Sequence, residues 1–283
     1  VSAFLLNRSS DLILYTLCVV ITQSGETADT LAAARKMHEM GAKVFAVTNV
    51  LGSTAARESD GVMYVQAGPE VCVASTKAYT AQMVACALFA LRLAQSHGVM
   101  SAEEVAAHYQ DLKAIPDAIR EVISRSWQDK QAAAVFRSAT SALFLGRGVN
   151  ATTAYEGALK LKEISYLHAE AYPAGEMKHG PIALLDEGFP VIAIATQSPV
   201  YDKVVSNLQE SKARGAMVVA IATEGDEEIL KHADHVVYIP KVRDAFSAIT
   251  ASVPLQLLAR SIAVLRGCDV DQPRNLAKSV TVE

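Results

Sequence analysis

The chain has 283 residues, of which 51% are hydrophobic and 20% are charged, and its formal net charge is −4. A chain of this length can bury a substantial core and favours two lobes. Because it contains no long basic or acidic run, the composition argues against nucleic acid and anionic membrane as partners.

The cysteines indicate the compartment. The four cysteines are far apart and show no CxxC or Cys/His spacing: Cys18, Cys72, Cys86 and Cys268. We therefore expect no metal site, and we expect free thiols in a reducing compartment. No uncharged apolar run reaches the 18 residues of a membrane span, and no signal-peptide pattern opens the chain. We therefore expect a cytoplasmic protein.

The first element is an apolar run that gives way to TQSGET just where a helical pattern begins. In parallel α/β sheets anions bind at such a point, because helix N-termini present unpaired N–H groups there. Thr22, Gln23, Ser24 and Thr27 would surround that terminus, and Gly25 lets the backbone come close. The loop indicates a phosphate ester site, although ordinary helix capping would use the same residue types.

A repeat organises the rest of the chain. Residues 21–48 match residues 195–222, with Thr22 paired to Thr196 at an offset of 174 residues. A sustained offset indicates duplication of a whole lobe. Each copy alternates apolar runs with helical patterns, which predicts an α/β fold with parallel sheets flanked by helices.

The two copies of the loop differ. The second reads TQSPVY, so Pro199, Val200 and Tyr201 replace the glycine and the second hydroxyl of TQSGET. We expect the first loop to bind the anion and its duplicate to be structural. The same offset pairs Asp60 with Asp234.

The segment between the copies is charged and helical in its periodicity, with Pro116 as an expected interruption. A predicted strand at residues 142–148 and a helix from about 153 to 167 precede the second loop. The offset would place their counterparts before residue 1. The sequence therefore predicts a first lobe truncated at its N-terminus (1–110), a helical connector (111–140), a second lobe (141–268) and a C-terminal tail (269–283).

The sequence GRGVNA at residues 146–151 loosely matches a dinucleotide-binding fingerprint. The match is weak, because AYPAGEMKHGP interrupts the βαβ unit that the fingerprint requires. No Walker A sequence is present. We expect no cofactor.

Three charged residues of the following helix share one face. Glu156, Lys160 and Glu163 are spaced i, i+4, i+7, whereas Lys162 points elsewhere. A salt-bridged solvent face explains this spacing. The helix is otherwise largely apolar, however, and a half-buried charged stripe would favour perturbed pKa values and acid–base work.

Two further residues have both a functional and an ordinary interpretation. His179, in the loop PAGEMKHGP, can act as an acid or base near neutral pH or can simply be solvated. Lys278 lies in a C-terminal segment without a predicted element, which is typical of a frayed tail. In an apolar pocket it would instead form a Schiff base with a carbonyl.

Several long motifs occur in one order: TQSGETADT, EVCVASTKAY, AYEGALKLKEISYLHAEAYPAGEMKHGP, VPLQLL and DVDQPRNLAKSVTVE. Together they resemble the isomerase half of the glutamine:fructose-6-phosphate aminotransferases. The resemblance implies two tandem sugar isomerase (SIS) lobes, a homodimer or larger assembly, and fructose 6-phosphate and glucosamine 6-phosphate as ligands. It also implies a glutaminase domain in the full-length protein.

The resemblance assigns roles to individual residues. Lys278 matches the lysine that forms an imine with the opened sugar, and Glu163 the carboxylate that moves a proton between C1 and C2. Lys160 and Glu156 match supporting charged residues, and His179 matches a ring-opening histidine that the neighbouring subunit supplies. The implied sugar phosphate contacts are Thr22, Gln23, Ser24, Thr27, Val73, Ser75 and Ala277.

Two other functions fit part of this pattern. A non-catalytic sugar-phosphate sensor would need the TQSGET loop but not Lys278, Glu163 or His179. A simple phosphosugar isomerase would use Glu163 without Lys278. A Cys-Gly-Thr-Ser segment that completes the family's phosphate site has no counterpart here, so we expect weakened phosphate affinity.

Overall fold

The computed structural model describes residues 16–278, which form two compact units: residues 16–100 with 277–278, and residues 101–276. The predicted opening of the first lobe and the last five residues of the tail lie outside the described residues. The helices after residue 101 belong to the second unit. The lobe boundaries at residues 110 and 141 stay predictions.

The second unit is built on a parallel sheet in the order β5-β4-β6-β7-β8. Its elements are α4 (Ala102–Ser124), α5 (Trp127–Ala133), β4 (Ser141–Gly146), α6 (Val149–Ser165), β5 (His168–Pro173), β6 (Pro190–Ala195), α7 (Tyr201–Lys212), β7 (Met217–Thr223), β8 (His235–Ile239) and α8 (Asp244–Leu265). Short 3₁₀ turns lie at Ala134–Phe136, Ala174–His179, Pro181–Leu184 and Glu228–Lys231. Every strand pairing in this sheet is parallel, as the alternating pattern predicts.

Two elements of this unit differ from the expectation. The strand β5 was missed because HAEAYP lacks the β-branched residues typical of strands, and it lies at the edge of the sheet. Pro116 does not interrupt α4, which continues through it. Pro116 is exposed, whereas Leu112, Ile115 and Val122 are buried, and their burial offsets the lost backbone hydrogen bond.

The helix α8 is long and apolar enough to cross a bilayer, with a mean hydropathy of 1.5. However, 67% of its most apolar window is buried inside the protein. It packs against α4, α5 and α6. These contacts identify α8 as the core helix of the second unit.

The first unit has a three-stranded parallel sheet in the order β1-β2-β3 among the residues described. Its elements are β1 (Leu17–Thr22), α1 (Ala28–Glu39), β2 (Lys43–Thr48), α2 (Thr54–Glu58), β3 (Gly61–Tyr64) and α3 (Lys77–Ser96). Val20 and Val44 pack with Leu31 of α1, and Phe45 stacks on Phe89 of α3 with ring centroids 4.8 Å apart.

The repeat is visible in both sheets. Asp60 accepts the Val44 N–H at 2.9 Å, and Asp234 accepts the Val218 N–H at 2.8 Å. The register between β2 and β3 is also the same as that between β7 and β8: Phe45 pairs with Gly61, and the residues 174 positions later, Val219 and His235, pair with each other. The duplication predicted from sequence therefore extends to individual hydrogen bonds.

The strand β1 departs from the repeat. Leu17 pairs with Lys43, whereas the offset from the Val191–Val218 pair predicts a pairing with Val44. This one-residue shift reverses which side chains face each side of the sheet. In the described residues β1 has a single neighbour, while its counterpart β6 is paired on both sides.

The same strand is exposed on one face. Leu17, Val19 and Ile21 are 38–48% exposed, whereas all six residues of β6 are buried. In the second unit β4 and β5 complete the sheet, and α6 packs against both of them. Among the described residues the first unit has no counterparts of these elements.

Candidate functional site

The loop between β1 and α1 carries the first group of candidate residues. Thr22 ends β1 and is buried; its Oγ1 accepts the Gly25 N–H at 3.1 Å and lies 3.4 Å from Oγ1 of Thr27. Ser24 Oγ accepts the Glu26 N–H at 3.1 Å. Three of the four predicted phosphate contacts thus place hydroxyl groups on one tight turn before a helix.

Capping of α1 does not explain these side chains. Thr27 occupies the N-cap position but makes no side-chain capping hydrogen bond. Glu26 Oε1 instead accepts the Thr54 N–H of α2 at 2.8 Å, and this hydrogen bond lowers the pKa of Glu26. The backbone of Gln23 accepts the Asn49 N–H at 3.2 Å. Asp29 in the first turn of α1 complements the helix dipole instead.

The hydroxyl groups of Thr48 and Ser53, which the sequence analysis did not single out, lie against this turn at Gly25. Gly25 has a φ of +71°, and a Cβ there would lie 2.1 Å from Ser53 Oγ and 3.1 Å from Thr48 Oγ1. Both hydroxyls are buried and have no hydrogen-bond partner among the described residues. The sequence carried a signal for Thr48, because it ends β2 as Thr22 ends the neighbouring strand.

The duplicate loop is built differently. Thr196 accepts a hydrogen bond from Asn150 Nδ2 at 2.8 Å, so its hydroxyl belongs to a buried polar cluster. Tyr201 stands at the position of Thr27, its hydroxyl is buried, and burial raises its pKa. A bulky ring thus replaces the small hydroxyl of the first loop, in agreement with a structural role.

A second group of candidates lies in the loop before α3. Lys278 Nζ donates to the backbone carbonyl of Cys72 at 2.7 Å, next to Val73 in this loop. The carboxylate of Glu70, which the sequence analysis did not single out, accepts the Ala78 N–H at 2.9 Å and lies 3.4 Å from Ser75 Oγ. Glu70 therefore shapes the loop that holds Lys278. Ala277 is exposed.

Two of the three charged residues in the α6 stripe are buried, and the third, Glu163, is partly buried. Glu156 is 8% exposed and Lys160 is 4% exposed, while Lys162 is exposed. Lys160 Nζ lies 2.6 Å from Glu163 Oε2 and 3.7 Å from Glu156 Oε1. The lysine therefore forms its short hydrogen-bonded ion pair with Glu163 and has only a longer contact with Glu156.

The environment of Glu156 shifts its protonation. Burial raises the pKa of Glu156 to about 7, with Lys160 opposing this shift and the Glu163 charge adding to it. Oε1 of Glu156 has no hydrogen-bond partner among the described residues. Near neutral pH this carboxyl group is close to its midpoint, whereas an ordinary glutamate is fully ionised.

We expect the Glu156→Gln substitution to remove a pH dependence of stability. A carboxyl group with a raised pKa in the folded state stabilises the protein below pH 4.5, and this contribution is lost as the pH rises through about 7. The free energy of unfolding of the wild type, minus that of the variant, should therefore fall between about pH 5 and pH 8. Urea denaturation across this range measures it, and a constant difference would contradict the burial argument.

The loop that carries His179 is fixed to α7. Lys178 pairs with Glu210 at 2.7 Å, and Met177 is completely buried. Arg147 Nε donates to Asn207 at 3.1 Å. These contacts hold the 3₁₀ turn Ala174–His179 in place, and His179 is exposed at its end.

The glycine-rich GRGVNA segment has a packing role in the structure. A Cβ at Gly146 would lie 2.0 Å from the backbone oxygen of Asn150, and one at Gly175 would lie 3.1 Å from the Arg147 guanidinium. The first glycine thus permits the close turn from β4 into α6. The central Arg147 lies against the His179 loop.

The chain matches the SIS domain family model over residues 15–92 and 135–266. Among curated proteins it is 55% identical over 268 residues to a glutamine–fructose-6-phosphate aminotransferase (isomerizing) of Thermus thermophilus. That alignment covers 95% of this chain and 44% of the relative. The chain thus spans less than half the length of that relative.

Solved structures agree. The C-terminal domain of glucosamine-fructose-6-phosphate aminotransferase from Francisella tularensis superposes with a TM-score of 0.86 at 38% identity, covering 93% of this chain and 77% of that one. A glucosamine-6-phosphate deaminase of Thermotoga maritima superposes with a TM-score of 0.73 at 25% identity, covering 93% and 75%.

Proposed function

The chain belongs to the SIS domain family, and from that premise we propose that it is the isomerase half of an enzyme that makes glucosamine 6-phosphate from fructose 6-phosphate and ammonia. The observation that carries the proposal is the ion pair between the buried Lys160 and the partly buried Glu163 on α6. Burying such a pair costs desolvation free energy, and a sensor that only binds the sugar phosphate has no use for it.

The phosphate group is bound by the TQSGET loop. Its three charged oxygens accept hydrogen bonds from the hydroxyls of Thr22, Ser24 and Thr27 and from the side-chain amide of Gln23. The N-terminus of α1 adds the helix dipole. Val73, Ser75 and Ala277 contact the sugar.

The carbon chemistry requires an amine and one mobile proton. His179 opens the sugar ring by proton transfer, and the exposed C2 carbonyl condenses with Lys278 with loss of water. Ammonia then displaces the lysine from C2. Glu163 takes a proton from C1 of the C2 imine and returns one to C2, while the O1 hydroxyl proton is transferred to the nitrogen, which gives the 2-amino aldose.

Glu156 and Lys160 support this step electrostatically. The short ion pair with Lys160 fixes the direction of the Glu163 carboxylate. Burial raises the pKa of Glu156 to about 7, so Glu156 can take up a proton near neutral pH. This reduces the negative charge next to Lys160.

We also propose that the active form is a homodimer in the cytoplasm and that a glutaminase domain of the full-length protein supplies the ammonia. The supporting observations are the similarity to the aminotransferases and the 44% of their length that this chain spans. Sedimentation velocity at micromolar concentration measures the assembly, and a monomer would contradict the dimer.

We expect Gly25→Ala to weaken sugar phosphate binding more than tenfold. The added Cβ would lie 2.1 Å from Ser53 Oγ, so the turn that presents Thr22 and Thr27 must shift. The matched control is Gly52→Ala, because Gly52 has a similar φ of +66° and open space around it. The Gly52→Ala variant should bear only the stability cost of placing alanine in a left-handed backbone conformation, about 1 kcal/mol. Calorimetric titration with fructose 6-phosphate compares the two, and equal affinities would contradict the site.

The proposed function is tested by adding fructose 6-phosphate and ammonium to the protein and identifying the product by mass spectrometry. Glucosamine 6-phosphate supports the proposal. Glucose 6-phosphate alone would indicate a simple phosphosugar isomerase, and tight binding without any product would indicate a sensor. Either of the last two results overturns the proposal.

A further inference from the structure

The glutamate of the TQSGET loop contacts α2. Oε1 of Glu26 accepts the Thr54 N–H, the first of α2, at 2.8 Å. The next N–H of α2, that of Ala55, donates to the Gly25 carbonyl at 3.0 Å. Ser53, the N-cap residue of α2, makes no side-chain capping hydrogen bond within the described part of the chain. The loop and the start of α2 are therefore joined by two adjacent hydrogen bonds, one of which uses the Glu26 side chain.

Two backbone contacts hold the rest of the loop. The Gln23 carbonyl accepts the Asn49 N–H at 3.2 Å, and the Asn49 side chain donates to the Gly68 carbonyl at 2.8 Å. The second contact is the hydrogen bond from α2 to the Gly25 carbonyl. Both contacts use backbone atoms of the loop, so they do not depend on the identity of its side chains. A substitution of Glu26 therefore removes one attachment of the loop and leaves the other two available.

The charge of Glu26 would by itself oppose phosphate binding. The hydrogen bond from the Thr54 N–H lowers the pKa of Glu26, so its carboxyl group is ionised at neutral pH. A carboxylate in a loop that binds a phosphate ester repels the anion, so replacing it with a neutral residue should strengthen binding. If the geometry of the loop depends on Glu26, however, removing its contact should weaken binding. The two effects have opposite signs, and an affinity measurement separates them.

We propose that Glu26 is a positioning residue of the sugar phosphate site, whose carboxylate fixes the TQSGET loop on α2 and so fixes the hydroxyls of Thr22 and Thr27 without contacting the phosphate. This inference rests on the proposed function in taking the loop as the phosphate site. Without the Glu26 contact the loop has to become ordered when the ligand binds, and ordering a flexible group lowers affinity. Loss of the contact should therefore weaken fructose 6-phosphate binding by about 3- to 10-fold.

The test compares Glu26→Ala with Glu26→Gln. Glutamine removes the charge but keeps an oxygen that can accept the Thr54 N–H, so its affinity for fructose 6-phosphate should equal or exceed that of the wild type. Alanine removes both the charge and the contact, and its affinity should fall. The control is Glu39→Ala, which removes the same charge from the other end of α1, where Glu39 pairs with Lys36 at 3.5 Å. It should bind as the wild type does. Calorimetric titration with fructose 6-phosphate measures all three affinities.

Two further readouts separate positioning from a general loss of stability. In Glu26→Ala the KM for fructose 6-phosphate should rise while kcat stays at the wild-type value, because only substrate binding loses an interaction. Hydrogen exchange of the Thr54 and Ala55 amides should accelerate in Glu26→Ala and remain unchanged in Glu39→Ala.

The possible outcomes are distinct. Weaker binding in Glu26→Ala alone, together with faster exchange, supports the inference. Wild-type or tighter binding by Glu26→Ala, equally weak binding by Glu26→Gln, or unchanged exchange overturns it. If the wild type does not bind fructose 6-phosphate, the proposed function fails, and the exchange rates alone decide whether Glu26 fixes the loop.

Discussion

In the Lys278→Ala variant we expect no borohydride-stable adduct with fructose 6-phosphate and formation of glucosamine 6-phosphate reduced to background. The reason is chemical, because a methyl group cannot condense with the C2 carbonyl. Lys278 Nζ is held by the Cys72 carbonyl at 2.7 Å, and the loop around that carbonyl is organised by Glu70. Mass spectrometry of the intact protein measures the adduct.

The matched control for this experiment is Lys203→Ala, because Lys203 is an exposed lysine on α7. It should form the adduct at the wild-type rate. Affinity for sorbitol 6-phosphate, an open-chain analogue without a carbonyl, should stay near the wild-type value in both variants. Wild-type product formation by Lys278→Ala would contradict the imine mechanism.

We expect Glu163→Gln to separate imine formation from proton transfer. The amide cannot accept the C1 proton, so product formation should fall by about 10²- to 10⁴-fold, the usual contribution of a general base. The adduct on Lys278 should still form. The amide oxygen introduced by this substitution can accept a hydrogen bond from Lys160, and Glu156 lies 3.7 Å from the same ammonium group, so the buried lysine keeps a charged partner.

Its control is Glu121→Gln, which removes a partly exposed carboxylate of α4 that pairs with Arg125. This variant should retain full activity. A thermal midpoint for Glu163→Gln similar to that of the wild type would exclude unfolding as the cause of lost activity. Unchanged product formation in Glu163→Gln would remove Glu163 from the mechanism.

Much of the fold was predictable because the pattern of the chain is periodic and repeated. The shared Thr-Gln-Ser loops and the Asp60 and Asp234 pair marked equivalent positions, and both sheets are parallel as expected. The burial of the α6 stripe also followed from the apolar residues around it. Each of these features can be recognised from the residue pattern within a short segment of the chain.

The features that the sequence did not reveal depend on contacts between distant residues. Glu70 and Ser53 belong to ordinary-looking polar turns, and only the folded chain brings them to the candidate loops. Tyr166 meets Arg274 across 108 residues. The register of β1 against β2 differs by one residue from that of β6 against β7, and no local pattern encodes this shift.

The most direct test of this account is to trap the wild-type protein with fructose 6-phosphate and borohydride and to map the modified peptide. The account predicts one adduct, on Lys278, whose amine donates to the Cys72 carbonyl in the first unit. Modification of a different lysine, or bound sugar phosphate without any adduct, would contradict it.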